Sequence, residues 1–270
     1  MSNVSRTADT VRRSVGPWSQ ASHAVLEYLE RVGFDGAPRF LGIDAQGREV
    51  LSYIPGQTIS EANRPEVSPA RLKSAARLLR RLHDALEGFH LPEGVTWHPR
   101  YHPHPEDGPV WVCHMDAHPA NTIFQGDQAV AFIDWDMVGP VPRAWDVAWS
   151  AYSYAPLADD EVCRRMGWQT PPDRMGRLRL FCDAYGLAAA ERGRLPDLVI
   201  RLARQQIADI DRAAKEGVES ARFLVEDVGY PRLVRWRIRW VRDHRDELVW
   251  ALQREEPIRP KDQETGPVNT

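Results

Sequence analysis

The sequence predicts an α+β fold in two lobes, a reduced β-containing lobe over residues 1–55 and a mostly helical lobe over residues 56–254. Three observations carry that division. Apolar runs of strand length cluster before Pro55 and Gly56; helix-period apolar stripes dominate from Ala144 onward; and between them a strand, a loop and a hairpin gather acidic and amide side chains in a short stretch.

In the first lobe, Thr10 to Arg13 reads as a strand, and Ser19 caps a helix whose Val25, Leu26, Leu29 and Val32 recur at helical spacing before Gly33. Phe40 to Ile43 and Glu49 to Ile54 form a hairpin around Asp44 to Gly47, and Pro55 with Gly56 breaks the second strand as a hinge. A long helix follows, with Ser68 as N-cap, Pro69 in the first turn and a stripe of Leu72, Ala75, Ala76, Leu79, Leu82 and Leu86. Residues 91–109, rich in proline and histidine, read as a loop. The last helical stripe comprises Val234, Ile238, Val241, Leu248 and Leu252, and a polar tail from Glu255 to Thr270 is expected to be disordered.

Bulk properties narrow the partners. Across 270 residues, 35 Lys plus Arg face 38 Asp plus Glu, a net charge of −3. No overall field draws such a chain to nucleic acid or an anionic membrane, so a small-molecule partner is expected. The three cysteines, Cys113, Cys163 and Cys182, lack metal or redox spacing, which fits reduced thiols in a cytoplasmic protein. Neither a signal peptide nor a membrane span is expected, because Met1 to Ser14 holds no apolar run and no later segment is apolar for about 18 residues.

The chemistry concentrates between Val110 and Trp149. Val110 to Cys113 reads as a strand ending at His114, so Asp116 falls in the loop just beyond it, exposed yet rigidly held. Thr122 to Phe124 and Ala129 to Ile133 flank a turn at Gln125 to Gln128. A hairpin centred there pairs residues whose numbers sum to 253 and sets Asn121 opposite Phe132. Asp134 then lies one diagonal step from Asn121, about 7 Å away, close enough for one cation to bridge both. Phosphoryl transfer requires such a set: oxygen ligands for magnesium, here Asn121 and Asp134, and a carboxylate, Asp116, that orients an acceptor hydroxyl and takes its proton. The order His114, any residue, Asp116, four residues, Asn121 is the spacing of the kinase catalytic loop.

The runs VCHMDAHPANTIF and AFIDWDMVGPVPRAWDVAW resemble the aminoglycoside phosphotransferase and choline kinase family, and RLLRRLH at 77–83 and LSYIPG at 51–56 extend the likeness. The stretch GPWSQASHAVLEYLERVGFDGAPRFLGID is similar to a bacterial subset of that family, some of whose members carry the label trifolitoxin immunity protein. The resemblance implies a protein-kinase-like two-lobed fold, ATP and magnesium as cofactors, and transfer of the γ-phosphate to a hydroxyl of a small molecule. It also implies that a cation of the run VRR contacts the α- and β-phosphates, where Arg13 is chosen over Arg12 because Val11 then shares its face, and that the backbone of Ser52, Tyr53 and Ile54 pairs with the adenine edge.

Two departures stand out. Such chains open with a glycine-containing turn over the phosphates, whereas the twelve residues before Arg13 hold no glycine. Either the true start lies upstream of Met1 or Asn3 to Ser5 is a remnant of that turn. The Glu expected to pair with the strand cation would fall near Ser22, where neither Ser22 nor His23 is acidic, so Arg13 is expected to lack that lock and His23 to substitute weakly. These departures motivate a rival reading, a non-catalytic kinase-like binding or immunity protein that sequesters a ligand.

Neighbouring residues take plainer roles. His114 supports the loop by hydrogen bonding; a His114, Asp116, His118 metal centre is disfavoured because Pro119 disturbs the extended backbone it needs. Asp136 is balanced between a metal or substrate ligand and a solvated carboxylate. Asp146 is an N-cap tying its helix to the catalytic loop. The helix carrying Arg232 to Arg242 with Trp236 and Trp240 reads as a solvated face rather than an RNA platform, and Asp159 to Glu161 as acids favoured by a helix dipole rather than a cationic-substrate site.

Overall fold

The computed structural model describes residues 4–98 and 108–254. Asn3, part of the loop at 91–109 and the tail at 255–270 lie outside these residues.

The chain opens with a hairpin of β1 (Ser5–Thr7) and β2 (Thr10–Ser14). The turn sits at Ala8 and Asp9, with Ala8 at a φ of +50°; of the segment Asn3 to Ser5, Asn3 lies outside the described residues and Ser5 opens β1. Helix α1 (Ser19–Arg31) buries Val25, Leu26 and Leu29, while Val32 stands exposed at its C-cap. Ser19 is the first helical residue instead of the cap; its hydroxyl accepts the Gly16 amide at 2.8 Å. Strands β3 (Phe40–Ile43) and β4 (Arg48–Ser52) complete a four-stranded antiparallel sheet of order β1-β2-β4-β3. Asp44 shapes their turn by accepting the amides of Gln46 and Arg48 at 2.9 and 3.0 Å, an Asx turn.

The helical part begins with α2 (Pro69–Ala85), whose cap is the predicted one: Ser68 Oγ accepts the Arg71 amide at 3.1 Å. Its stripe of Leu72, Ala75, Ala76, Leu79 and Leu82 is wholly buried. Each such leucine contributes roughly 1.5–3 kcal/mol relative to exposure. Then follow β5 (Trp111–Cys113), paired with β8 (Gly139–Val141), and the hairpin of β6 (Thr122–Gln125) and β7 (Gln128–Phe132). Eight helices finish the described chain: α3 (Arg143–Tyr154), α4 (Asp160–Arg165), α5 (Arg174–Tyr185), α6 (Ala189–Arg192), α7 (Leu195–Lys215), α8 (Glu219–Glu226), α9 (Tyr230–Asp243) and α10 (Arg245–Gln253). Leucines of α1 and β4 join those of α2 and the final helices in one continuous apolar cluster, so the sheet is anchored on the helical lobe. No helix among the described residues is long and apolar enough to cross a membrane.

The predicted hairpin register holds only near its turn. Gln125 faces Gln128 and Phe124 faces Ala129, but beyond a shift Ile123 faces Ala131 and Thr122 faces Phe132. The cause is a third strand-like partner: Phe124 exchanges both backbone hydrogen bonds with Gln57, at 2.8 and 2.9 Å, and the hairpin bulges around it. Gln57 can approach so closely because Gly56 precedes it. Gly56 has a φ of +144°, and a Cβ there would lie 2.7 Å from the Phe124 carbonyl oxygen.

Candidate active site

Asp116 owes its place to a turn built from its neighbours. Met115 takes a φ of +60°, which folds the chain sharply after β5. The amides of His114 and Met115 are thereby aimed at one buried carboxylate, Asp146, at 3.0 and 3.1 Å. His83 Nε2 donates to the same carboxylate at 3.1 Å, and its Nδ1 accepts the Tyr185 hydroxyl at 2.7 Å. Asp146 lies in the first turn of α3, whose N-cap is Pro142, so it is not the cap that the sequence suggested. Its tie to the loop that bears Asp116 is nonetheless present, with three donors offsetting its desolvation. His83, Cys113 and Asp146 lie close enough together to hold an ion, but burial pushes the Cys113 thiol well up and Asp146 is engaged by protein donors.

His114 acts as loop support. Its Nδ1 accepts the Asp116 amide at 3.2 Å, which leaves the proton on Nε2, and its ring packs edge-on against Trp135 with centroids 4.6 Å apart. Burial lowers its pKa, so it stays neutral.

Asn121 ends a 3-10 turn (Pro119–Asn121) instead of facing Phe132 across the hairpin. Its Nδ2 donates to Asp116 Oδ2 at 2.8 Å and to the Asp116 carbonyl at 3.2 Å, and its own carbonyl accepts the Ile133 amide at 2.9 Å. That last bond brings Asn121 beside the segment bearing Asp134, by a route the register argument did not foresee. Asp134 has a left-handed backbone, φ +63°, a conformation that aspartate tolerates better than most residues.

Arg13 corrects the sequence reading. Far from lacking an acidic partner, its guanidinium meets three: Glu49 through Nε, Asp134 at 2.8 Å and Asp136 at 2.6 Å. Glu49, on β4, takes the role expected of a helix residue and was missed. The available signal was its position as the one acid in β4, beside the apolar Val50 and Leu51 and directly opposite Arg13 in the β2–β4 register. Its second oxygen bonds His23 Nε2 at 2.6 Å, and His23 stacks on Phe40 with centroids 3.8 Å apart. Strand and helix are therefore locked after all, through Glu49. Ser22, where the Glu was sought, donates its hydroxyl to the Trp135 carbonyl at 2.9 Å and ties α1 to the Asp134–Asp136 segment.

The electrostatics follow from burial and crowding. Burial opposes the Arg13 charge, but Asp136, Glu49 and Asp134 together raise its pKa. Burial pushes the Glu49 carboxyl up, yet the His23 hydrogen bond and the Arg13 charge hold it below the usual range. At Asp136 the balance reverses: burial outweighs Arg13 and the carboxyl sits above its ordinary value.

Of Ser52, Tyr53 and Ile54, the residues expected at an adenine edge, the first two have spent their amides on neighbouring backbone. Ser52 donates to the Arg39 carbonyl at 2.9 Å and Tyr53 to the Asp9 carbonyl at 2.8 Å. The Arg6 guanidinium stacks 3.5 Å over the Tyr53 ring. His118 and Asp116 lie close, with Nε2 and Oδ1 3.7 Å apart, but the His114 ring turns away into Trp135, so the three do not form a metal centre. In α9, Arg237 stacks 3.6 Å over Tyr152 and donates to its carbonyl at 2.7 Å, while Trp240 stacks on His244.

The model of the phosphotransferase enzyme family matches residues 89–181, which include Asp116, Asn121, Asp134 and Asp146. The trifolitoxin immunity protein of Rhizobium leguminosarum bv. trifolii is 32% identical over 254 residues, covering 92% of this chain and 94% of that relative. Among solved structures, a choline/ethanolamine kinase family protein from Mesorhizobium loti superposes with a TM-score of 0.60 at 18% identity, covering 93% of this chain and 89% of that one. An ethanolamine kinase from Plasmodium vivax gives 0.56 at 11% identity, covering 89% and 81%. The GDP complex of aminoglycoside 2'-phosphotransferase-IIIa gives 0.55 at 12% identity, covering 91% and 89%. At these identities the structural likeness is one of fold, and the fold is the protein-kinase-like α+β arrangement of two lobes.

Proposed function

The chain belongs to the phosphotransferase enzyme family, and from that premise we propose that it transfers the γ-phosphate of ATP, with magnesium, to a hydroxyl of a small molecule. The observation that carries this reading is the pairing of Asp116 with Asn121 beside the Arg13, Asp134 and Asp136 cluster.

The donor set fits the metal. Asn121 commits its amide nitrogen to Asp116, so its Oδ1 points elsewhere, and the carboxylates of Asp134 and Asp136 already converge on a cationic group. These are the hard oxygen donors that magnesium prefers, and three carboxylates against one guanidinium leave excess negative charge. Asn121 and Asp134 would hold the ion, which when bound neutralises phosphate charge. Asp116 orients the acceptor hydroxyl and receives its proton. Arg13 is the cation of β2 that meets the α- and β-phosphates. With the Ser52 and Tyr53 amides engaged, pairing with the adenine edge falls to Ile54 and to the carbonyls of the same segment.

A second reading draws on the name of the relative from Rhizobium. Immunity to a toxin can come from phosphorylating a hydroxyl on it or from sequestering it on a kinase-like scaffold that no longer turns over. Thermal unfolding of the purified chain with and without ATP and magnesium, repeated on Asp134→Ala, separates the two. A magnesium-dependent rise in Tm that disappears in the variant supports the enzyme. Absence of any shift with ATP, and with GTP in its place, rejects it in favour of sequestration.

A further inference from the structure

We propose that His118 is the second group holding the acceptor: its Nε2–H and Asp116 Oδ1 grip the acceptor hydroxyl together. The inference rests on the phosphotransfer reading and adds to it a residue and a geometry.

Asp116 presents two carboxylate oxygens with different neighbours. Oδ2 takes the Asn121 amide at 2.8 Å; Oδ1 lies 3.7 Å from His118 Nε2. The other ring nitrogen of His118, Nδ1, accepts the Ala120 amide at 3.2 Å. A neutral imidazole accepting at Nδ1 carries its proton on Nε2, so a donor faces Oδ1. At 3.7 Å the two atoms are too far apart for a direct bond, but a single oxygen can sit at hydrogen-bond distance from both.

That position suits the acceptor. A hydroxyl there donates its proton to Asp116 Oδ1 and accepts one hydrogen bond from His118 Nε2–H. Its second lone pair remains for phosphorus. As the new O–P bond forms and the bond from the γ-phosphorus to the bridging oxygen breaks, the hydroxyl proton passes to Asp116, the nucleoside diphosphate leaves, and His118 keeps its own proton. His118 is thus a positioning donor and not a second base.

The frame around this pair is stiff. His118 and Asn121, both neighbours of the Asp116 carboxylate, flank one 3-10 turn with Pro119 at its first position. The His118 carbonyl accepts both the Asn121 amide and the Thr122 hydroxyl at 2.9 Å, and the Thr122 hydroxyl pairs with that of Tyr154 at 2.6 Å in the core. The Pro119 carbonyl accepts the Ile59 amide at 3.0 Å, which fastens the turn to the segment after the hinge. Side-chain exposures of 24% for His118 and 25% for Asp116 leave both accessible from solvent.

The two ring nitrogens can be separated by substitution. His118→Asn keeps an acceptor where Nδ1 was, and so the turn cap, but loses the distal donor; His118→Gln keeps a donor near Nε2 and loses the cap. We expect magnesium-ATP hydrolysis, with water as acceptor, to fall roughly 10²-fold in His118→Asn, with the nucleotide KM and Tm unchanged, and to be largely retained in His118→Gln. The opposite order, or equal rates in both variants, overturns the proposal and leaves His118 a turn cap. A crystal structure of the wild-type chain supplies a readout independent of turnover: a water bonded to both Asp116 Oδ1 and His118 Nε2 is expected, and its absence also overturns the proposal. Failure of the phosphotransfer reading shows separately, as the lack of a nucleotide-induced melting shift.

Discussion

Arg13 and Glu49 stand opposite each other in the register of β2 and β4, and their ion pair roots the charge cluster that reaches Asp134 and Asp136. Because Glu49 is 1% exposed, its charge depends on these partners.

Replacing Glu49 with Gln should therefore lower stability at neutral pH by about 1–3 kcal/mol. The pH dependence has a definite sign. A carboxyl held below its ordinary range stabilises the fold fully above the unfolded value, and that contribution disappears as pH falls through the lowered value. Denaturant unfolding of wild type and Glu49→Gln at about pH 7 and about pH 3 should show a gap that closes in acid.

Asp136 should behave oppositely. Its carboxyl is raised, chiefly by burial, so its ionisation costs stability as pH climbs from the ordinary aspartate range through the raised value. Asp136→Asn should be at least as stable as wild type at pH 7, with the comparison shifting toward wild type in acid. A large loss of Tm in this variant at neutral pH would show that the Arg13 contact dominates instead.

Asp146 holds the loop that bears Asp116. Asp146→Ala strands the amides of His114 and Met115 and the His83 ring in a dry interior, and a loss of roughly 3–5 kcal/mol is expected from chemical denaturation. Asp116→Ala, by contrast, should abolish transfer with Tm close to wild type, because that side chain faces partly to solvent. Retained turnover in a folded Asp116→Ala protein would remove the catalytic assignment.

Gly56 is irreplaceable for a steric reason. Gly56→Ala adds a Cβ 2.7 Å from the Phe124 carbonyl oxygen in a conformation that alanine disfavours. A cost of about 2 kcal/mol or more is expected, read as a lower urea midpoint, with loss of hydrogen-exchange protection at the Gln57 and Phe124 amides.

The sequence by itself determined those features whose causes lie within a few residues of each other. Ser68 and Pro69 start α2, a helical stripe of leucines buries its face, and the run from His114 to Asn121 forms a loop and turn after a strand. Such signals, the strand-then-loop placement of Asp116 included, are local because capping, periodicity and turn formation are local interactions. Tertiary structure alone decided the partners. Glu49 finds Arg13 from 36 residues away, Asp146 collects amides from 31 and 32 residues away, and Gln57 bulges the hairpin that was to seat Asn121. A buried charge is satisfied by whichever opposite group the packing brings within reach. Ordinary strand pairing put an acid across from Arg13, so the lock sought on α1 formed on β4.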